Sequence, residues 1–431
     1  MKIVIANPPD QIALGKHIIL FPSRCDVIMP SHIFSYYPYE LANLSTLLKR
    51  ELHREQVKMV DGNHLQLGVL AYVERLAREK PDVLITECGH LTYECMTLLM
   101  KKLRVRFPHL RAILCGPSAS IFPERALGDG WEPVEGGEYE YKVLAMLGGA
   151  SHEGLVDLDW LPWPEDEDIR RIEYDECSNP IRPGMVQVYP TRGCPLSCSF
   201  CTVPLYYGGH GKSFKSHRTR DVNDVCGELR HLSSKYSGRF AGAFFNEEAH
   251  NANAEWLAQF AERLIWGGLN RYRYDAMCGY WTFTEDLISL LARAGYIQIR
   301  MGLESFSPAV GKAIHKRVDP DKMRQVLGWC KKYGIRTYCT TMVGAPGSSW
   351  DGDLATLHKL QEFKKAGLLD LIQHSIGTPN PGTEFWYQAH EQGWVLHDDL
   401  SGYNWGGGVV SYPNYSAEQI KVMYGKFCEV D

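Results

Sequence analysis

Apolar residues along this chain fall into two recurring arrangements: short unbroken runs, and longer stretches with an apolar residue every third or fourth position. Met1–Ala6 is a run of the first kind, stopped by Asn7-Pro8-Pro9. Leu41, Leu44, Leu47, Leu48 and Leu52 then recur at helical spacing and predict an amphipathic helix over about Glu40–Arg54. A second strand is predicted at Val57–Val60, closed by Asp61-Gly62, and another helix by Val69, Val73 and Leu76. Asp82–Thr86 reads as a strand, Leu98–Val105 as a helix, and Ala112–Cys115 as a strand turned by Gly116-Pro117-Ser118. Strands alternating with helices at this interval predict an α/β fold for residues 1–150, a Rossmann-like doubly wound parallel sheet. Such sheets take ligands beyond the carboxyl ends of their strands. The loops that matter are therefore Asn7–Pro9, Asp61–His64, Glu87–Thr92 and Gly116–Ser120.

Residues 151–184 break the rhythm. Pro162, Pro164, Pro180 and Pro183, with the acidic run Glu165–Asp168, read as a linker wrapping between domains. The alternation then resumes over 185–390. Strands are predicted near Val186–Tyr189, Ala241–Phe245, Tyr272–Met277, Ile297–Leu303, Thr337–Val343 and Leu371–Ile376. Helical patterns between them cover Val222–Leu232, Ala254–Trp266, Glu285–Arg293, Pro320–Tyr333 and Leu354–Lys365. Six such units suggest a partial (β/α)6 barrel of the TIM type, whose site residues belong at the carboxyl ends of the strands. Trp256, Trp266 and Trp329 lie within the helical patterns and read as core. The tail, 391–431, holds aromatic-rich pieces at Tyr403–Trp405 and Tyr412–Tyr415, then a helix pattern of Ile420, Met423, Tyr424 and Phe427.

Composition narrows the class. The 431 residues, 45% hydrophobic and 23% charged, are those of a globular protein of two or three domains. A formal charge of −5 gives no electrostatic footprint for nucleic acid or a membrane surface, and no apolar stretch reaches the ~18 residues of a membrane span. Thirteen cysteines spread through apolar segments suit a reducing cytoplasm better than a disulfide framework.

Three of those cysteines carry candidate chemistry. Cys194, Cys198 and Cys201 are spaced C-x3-C-x2-C just after an apolar strand, with Gly193 and Pro195 supplying turn chemistry. Soft sulfur ligands select zinc, copper(I) or iron–sulfur clusters. Structural zinc normally takes four protein ligands, often as paired knuckles, and no second pair is near. Three ligands on a cubane leave one iron open for a substrate. A zinc or redox site with the same spacing is the alternative.

With Phe200 before its last cysteine, this segment resembles the signature of the radical S-adenosylmethionine (SAM) superfamily. The resemblance implies that Cys194, Cys198 and Cys201 hold a [4Fe–4S] cluster whose fourth iron binds SAM. Electron transfer from a flavodoxin- or ferredoxin-like donor would then cleave SAM to a 5′-deoxyadenosyl radical. Other strand ends resemble family segments too. Asn246-Glu247-Glu248 lies where the family carries an acidic stretch near SAM or substrate, with Asn246 in place of the more usual acid. Gly302-Leu303-Glu304-Ser305 resembles G-x-E-S, which implies Glu304 and Ser305 as polar contacts to SAM; an ion pair of Glu304 with Arg300 or Arg336 is the structural alternative. Gly344-Ala345-Pro346-Gly347 resembles the G-x-P-G turn beside the adenine, and Pro379–Thr383 the family's P-x-P-G-T. Arg192, Arg218 and Arg220 flank the cysteine loop, where they would steady charge or pair with local acids. His210 sits in the glycine-rich stretch above it.

The first 150 residues resemble the cobalamin (B12)-binding domain that precedes the catalytic domain in one large class of this superfamily. The matching pieces are the opening strand with Asn7-Pro8-Pro9, the helix near Tyr39–Leu48, the strand ending in Asp61, Pro81–Thr86, the turn at Gly116 and Gly136–Glu140. Asn7, Asp61 and Gly116 are thereby implied as cofactor-side residues. The D-x-H-x-x-G loop that gives cobalt a histidine is missing, so the lower face of a bound corrin would be open or met by another group. A Rossmann-like sheet that has lost its ligand would show the same periodicity. The N-terminal half also lacks the cysteine triplet of methylthiotransferases. The resemblance thus implies a metal-binding cytoplasmic enzyme acting on a small molecule, with cobalamin-dependent C-methylation first. A radical SAM cyclase or oxidoreductase, and a non-catalytic cobalamin carrier or cluster sensor, stand as alternatives.

Overall fold

A computed structural model describes residues 1–9, 16–20, 26–30, 35–53, 55–174, 183–207, 217–403 and 406–430. The chain divides into two compact units, Met1–Gln187 with Leu205–Gly209, and Val188–Pro204 with His210–Asp431.

The first unit opens with β1 (Lys2–Asn7), an antiparallel pair β2 (Lys16–Leu20) and β3 (Asp26–Pro30), and α1 (Tyr39–Glu51). Next come β4 (Gln56–Asp61), α2 (Val69–Glu79), β5 (Val83–Glu87), α3 (Tyr93–Arg106) and β6 (Arg111–Cys115). α4 (Pro117–Ile121), α5 (Pro123–Asp129), β7 (Glu132–Pro133) and α6 (Glu140–Met146) complete it. The sheet order is β4-β1-β5-β6-β7 with every pair parallel, the doubly wound arrangement predicted. Val4, Ala6, Leu84 and Leu114 on one face of the strands pack against Leu76, Met96, Leu99 and Leu103 from α2 and α3. The β2–β3 pair was not foreseen, because two five-residue strands with mixed polarity give no clear period of two.

The acidic run read as linker lies in this unit. Glu165 is buried, accepts from Ser45 at 2.7 Å and pairs with Lys49; Asp168 accepts from Lys49 at 2.8 Å and from the Met59 N–H at 2.8 Å. Burial of these carboxylates is compensated by lysines of α1 and β4, so the run packs instead of spanning solvent.

Along the chain, β8 (Met185–Val188) crosses from the first unit's residues into the second's and is followed by β9 (Thr191–Arg192), α7 (Val203–Tyr207), whose last three residues belong to the first unit, and β10 (Arg218–Thr219). α8 (Val222–Lys235), β11 (Gly242–Phe245), α9 (Ala254–Trp266), β12 (Arg273–Cys278), α10 (Glu285–Arg293) and β13 (Tyr296–Glu304) continue the alternation. α11 (Pro308–Ala313), α12 (Pro320–Lys332), β14 (Arg336–Val343), α13 (Trp350–Lys365), β15 (Leu371–Ile376), α14 (Glu384–Glu391) and α15 (Ala417–Cys428) end it. The six-stranded sheet runs β15-β14-β13-β12-β11-β8, the order of a partial (β/α)6 barrel. Helix starts are set by side-chain caps: Asp221, Asp319 and Ser349 each accept a first-turn backbone N–H.

The two faces of this sheet differ. On the helix side, Phe245 stacks on Tyr274 and His250, and packs edge-on against Phe260. The other face carries a polar floor, where Asp275 accepts from Gln298 Nε2 at 2.9 Å and from Arg300 Nε at 2.9 Å. The Arg300 guanidinium also lies over the rings of Phe244 (4.0 Å) and Tyr338 (5.1 Å). A register shift between Tyr274 and Asp275 makes this possible, since it turns Tyr296 and Gln298 to opposite faces. One sequence reading needs correction. Trp266, expected in the core, is 85% exposed at the end of α9, beyond the helix's buried stripe. The helix expected in the tail forms as α15 and packs on α13 and β15 with Ile420, Met423 and Phe427 buried.

Candidate functional site

The cysteine loop leaves β9 at Gly193, whose φ of 87° lies in the left-handed region open to glycine. The Gly193 N–H donates to Glu248 Oε2 at 3.0 Å, and Thr191 Oγ1 donates to Glu247 Oε1 at 3.3 Å. Glu247 Oε1 is also 2.6 Å from His250 Nδ1, and His250 Nε2 is 2.7 Å from the Tyr296 hydroxyl. The end of β11 therefore fixes the entrance to the loop. Its middle is tied by the Ser199 N–H to Ile314 O (3.2 Å), by Ser199 Oγ to Ala313 O (3.0 Å), and by the Phe385 N–H to Ser199 O (2.8 Å). Phe200 packs on Val310, Ile314, Met342 and Ala345. The Cys201 N–H closes a turn onto Cys198 O at 3.0 Å.

Burial pushes the Cys194 thiol up to about 12 and the Cys198 thiol up to about 11, and Lys316 opposes both shifts. Lys316, which the sequence reading passed over, is buried. Its ammonium donates to Gly302 O at 2.8 Å and to Glu304 Oε1 at 2.7 Å. Burial disfavours its charge, but the Glu304 carboxylate and the Cys198 and Cys194 sulfurs outweigh that and raise its pKa. Among the described residues no three His, Cys, Asp or Glu side chains gather as a single-ion site requires. In a cubane each thiolate binds a different iron, so its ligands stand apart. Three thiols on a tethered loop, Cys198 buried and Cys194 and Cys201 half-buried, beside a fixed cation fit such a cluster better than they fit zinc.

The other expected contacts fall into place unevenly. Glu304 ends β13 at φ 61°, a strained conformation for a non-glycine residue, and its partner is Lys316. Arg300, one expected partner, is instead committed to Asp275. Ser305 is buried and spends its hydroxyl on Thr356 Oγ1 (3.1 Å) and the Ser307 N–H (3.0 Å). Both backbone groups of Gly344 are taken: its N–H donates to Asp353 at 2.9 Å and its carbonyl accepts from Tyr412 at 3.0 Å. A Cβ at Gly344 would come within 2.9 Å of Ile420, so the chain itself fills the space kept by this glycine. Pro346, next in that turn, is buried. Asn246 is buried, and its Nδ2 has no acceptor among the described residues. Arg220 does not serve the cluster, since it is paired with Asp224 and Glu228. His210 lies outside the described residues. Of the eight described cysteines beyond the triplet, seven are buried and only Cys428 is exposed.

In the first unit, Asn7 and Asp61 meet at the carboxyl edge, Asn7 Nδ2 donating to Asp61 Oδ1 at 2.8 Å. The Asn63 and His64 N–H groups reach the same oxygen at 2.9 and 3.1 Å, and the Tyr174 hydroxyl donates to Oδ2 at 2.8 Å. Gly116 has φ 83°, and a Cβ there would lie 2.6 Å from Glu87 Cγ. Glu87 in turn accepts from the Tyr139 hydroxyl at 2.9 Å. Two buried acceptors at this edge, Asn63 Oδ1 and Asp26 Oδ1, find no donor among the described residues. Acceptors left this way fit a ligand that brings N–H donors, as the primary carboxamides rimming a corrin do.

The Radical SAM superfamily profile matches residues 188–360, which hold all three cysteines. Residues 188–360 carry a radical SAM domain. An uncharacterized methyltransferase of Pyrococcus horikoshii is 24% identical over 99% of this chain and 91% of its own length. The bacteriochlorophyllide d C-8(2)-methyltransferase of Chlorobaculum tepidum is 24% identical over 68% of this chain and 65% of its own length. Other relatives include a hopanoid C-3 methylase of Methylococcus capsulatus and an anaerobic magnesium-protoporphyrin IX monomethyl ester cyclase of Cereibacter sphaeroides; this chain spans 36% and 33% of their lengths. Among solved structures, the radical SAM methyltransferase TsrM of Kitasatospora setae, with cobalamin and a [4Fe–4S] cluster bound, superposes with a TM-score of 0.66. That superposition covers 92% of this chain and 75% of TsrM at 15% identity, so the two share a fold.

Proposed function

We propose that this chain cleaves SAM at a [4Fe–4S] cluster held by Cys194, Cys198 and Cys201, and functionalises an unactivated C–H bond of a small molecule by cobalamin-dependent C-methylation. The observation that carries the reading is the tethered three-thiol loop with the Lys316–Glu304 pair at the carboxyl ends of the strands. When bound, the cluster supplies an electron from a flavodoxin- or ferredoxin-like donor to SAM, and cobalamin supplies the methyl group.

The chain's own residues do the rest. Gly193 and the Ser199 contacts set the thiol positions, and Lys316 holds positive charge beside sulfurs that carry negative charge once ligated. Asp275, Gln298 and Arg300 close the polar face with buried, mutually bonded groups, which keeps water out from that side. Half-exposed Met277, Tyr338, Thr340 and Gln373 lie on the same face toward the carboxyl ends, and the Tyr338 hydroxyl donates to Gln373 at 2.7 Å. They offer an uncharged surface for a substrate, polar except at Met277. Among the described residues no helix is long and apolar enough to cross a membrane.

Anaerobic reconstitution with iron, sulfide and cobalamin, followed by reduction with SAM, tests the reading. Formation of 5′-deoxyadenosine is expected; none with a loaded, reduced cluster refutes the enzyme. The cyclase-named relative favours a second reading, radical chemistry without methyl transfer. Product mass separates the two, because methylation adds a methylene unit whereas cyclisation or oxidation removes hydrogens.

A further inference from the structure

His64 follows β4 at the carboxyl edge of the first unit's sheet, in a turn that Asp61 Oδ1 shapes by accepting the Asn63 and His64 N–H groups. Two contacts orient its ring. It stacks on Tyr174 with centroids 4.3 Å apart and planes inclined by 27°, and Nδ1 lies 2.8 Å from Ser35 Oγ. When the hydroxyl accepts from Nδ1–H, the lone pair stays on Nε2. Histidines that bind metals are commonly oriented this way, with the other ring nitrogen donating to a fixed neighbour. Nε2 has no hydrogen-bond partner among the described residues, and the side chain is half-exposed at the edge where doubly wound sheets take their ligands.

A second observation at the same edge points to a ligand. Asn63, beside His64, is 97% buried; its Nδ2 donates to Ile18 O at 3.0 Å, yet its Oδ1 has no donor among the described residues. Asp26 Oδ2 accepts the Leu91 N–H at 2.7 Å while Oδ1 is likewise without a donor. A ring nitrogen open to a metal, together with buried acceptors open to N–H groups, matches a metal macrocycle rimmed with carboxamides.

We infer that His64 Nε2 is a nitrogen ligand to the cobalt of a corrinoid bound over this edge, an inference that rests on the cobalamin reading above. The probe is cobinamide, which lacks the cofactor's own nucleotide base, added to the full chain and reduced to the cobalt(II) state. Electron paramagnetic resonance is expected to show each high-field cobalt line split into a triplet by one nitrogen. Labelling the protein's histidines with the heavier nitrogen isotope should convert the triplets to doublets. His64→Ala should lose the splitting while the protein still retains cobinamide after gel filtration. Unsplit lines in retained cobinamide, or splitting that survives His64→Ala, overturn the assignment and leave the cobalamin reading standing. If neither cobinamide nor cobalamin is retained, the cobalamin reading falls and the assignment with it. Ser35→Ala is a second variant, expected to keep the triplet but with altered splitting as the ring loses its restraint.

Discussion

Replacing Lys316 with methionine removes a charge while keeping an unbranched stem of similar length, so it tests the ion pair with little cavity cost. The side chains of Lys316 and Glu304 are 9% and 11% exposed, which leaves the Glu304 carboxylate no ready access to water once its partner is gone. Breaking a buried pair by removing one member costs about 3–5 kcal/mol. At roughly 2–4 °C per kcal/mol for a unit of this size, the transition containing the barrel should fall by about 6–20 °C. Glu304→Gln combined with Lys316→Met removes both charges and should recover most of the loss. Urea unfolding of the four proteins in the cycle, followed by near-ultraviolet circular dichroism, measures the coupling. A Lys316→Met loss below about 1 kcal/mol, with single effects that add to within about 0.5 kcal/mol, would refute the reasoning. Cluster-loaded protein gives an independent readout. Without the neighbouring cation, the cluster should reduce at a more negative potential.

Asp353 is buried and its carboxyl is pushed up by burial to about 6 from 3.8, despite contacts from Gly344, Tyr415 and Ser348. A carboxyl that is raised on folding stabilises below its unfolded value, and the benefit is lost as pH climbs through about 6. Melting curves should therefore show a contribution of about 3 kcal/mol disappearing between pH 4 and pH 6, and Asp353→Asn should flatten it. Gly344→Ala combines a left-handed backbone with the Ile420 contact and should destabilise by about 2–5 kcal/mol in thermal melts. With burial holding the metal-free Cys194 and Cys198 thiols protonated, they should alkylate slowly at pH 7 and faster as pH rises, as peptide mass spectrometry would show. The variant with all three cysteines changed to alanine should lose the cluster's visible absorbance and keep its circular dichroism.

Much of the fold was legible because its core is regular. The predicted strands near Val57, Asp82, Ala112 and Leu371 match the observed ones to within a residue or so. Apolar periodicity reports burial, and the strands at Val83–Glu87 and Arg111–Cys115 are buried almost throughout. The triplet was legible because its spacing is local. Lys316 was not, since its partners are twelve residues or more away in sequence and nothing local marks a lysine as buried. The fate of Gly344 was hidden for a similar reason: Ile420 and Tyr412 reach it from a segment that sequence alone left as a tail. The acidic run misled in the opposite sense, because composition cannot distinguish solvated carboxylates from those neutralised by Lys49 and Lys58.

The tethers on Ser199 reach Ala313, Ile314 and Phe385, segments translated long after the cysteines themselves. A ribosome that has just released the three thiols has not yet made the parts that hold them in register. Metal insertion into this protein therefore belongs to a late stage of its biogenesis, and a fragment ending before Ala313 should emerge as a chain with the right sulfurs and no lasting grip on iron.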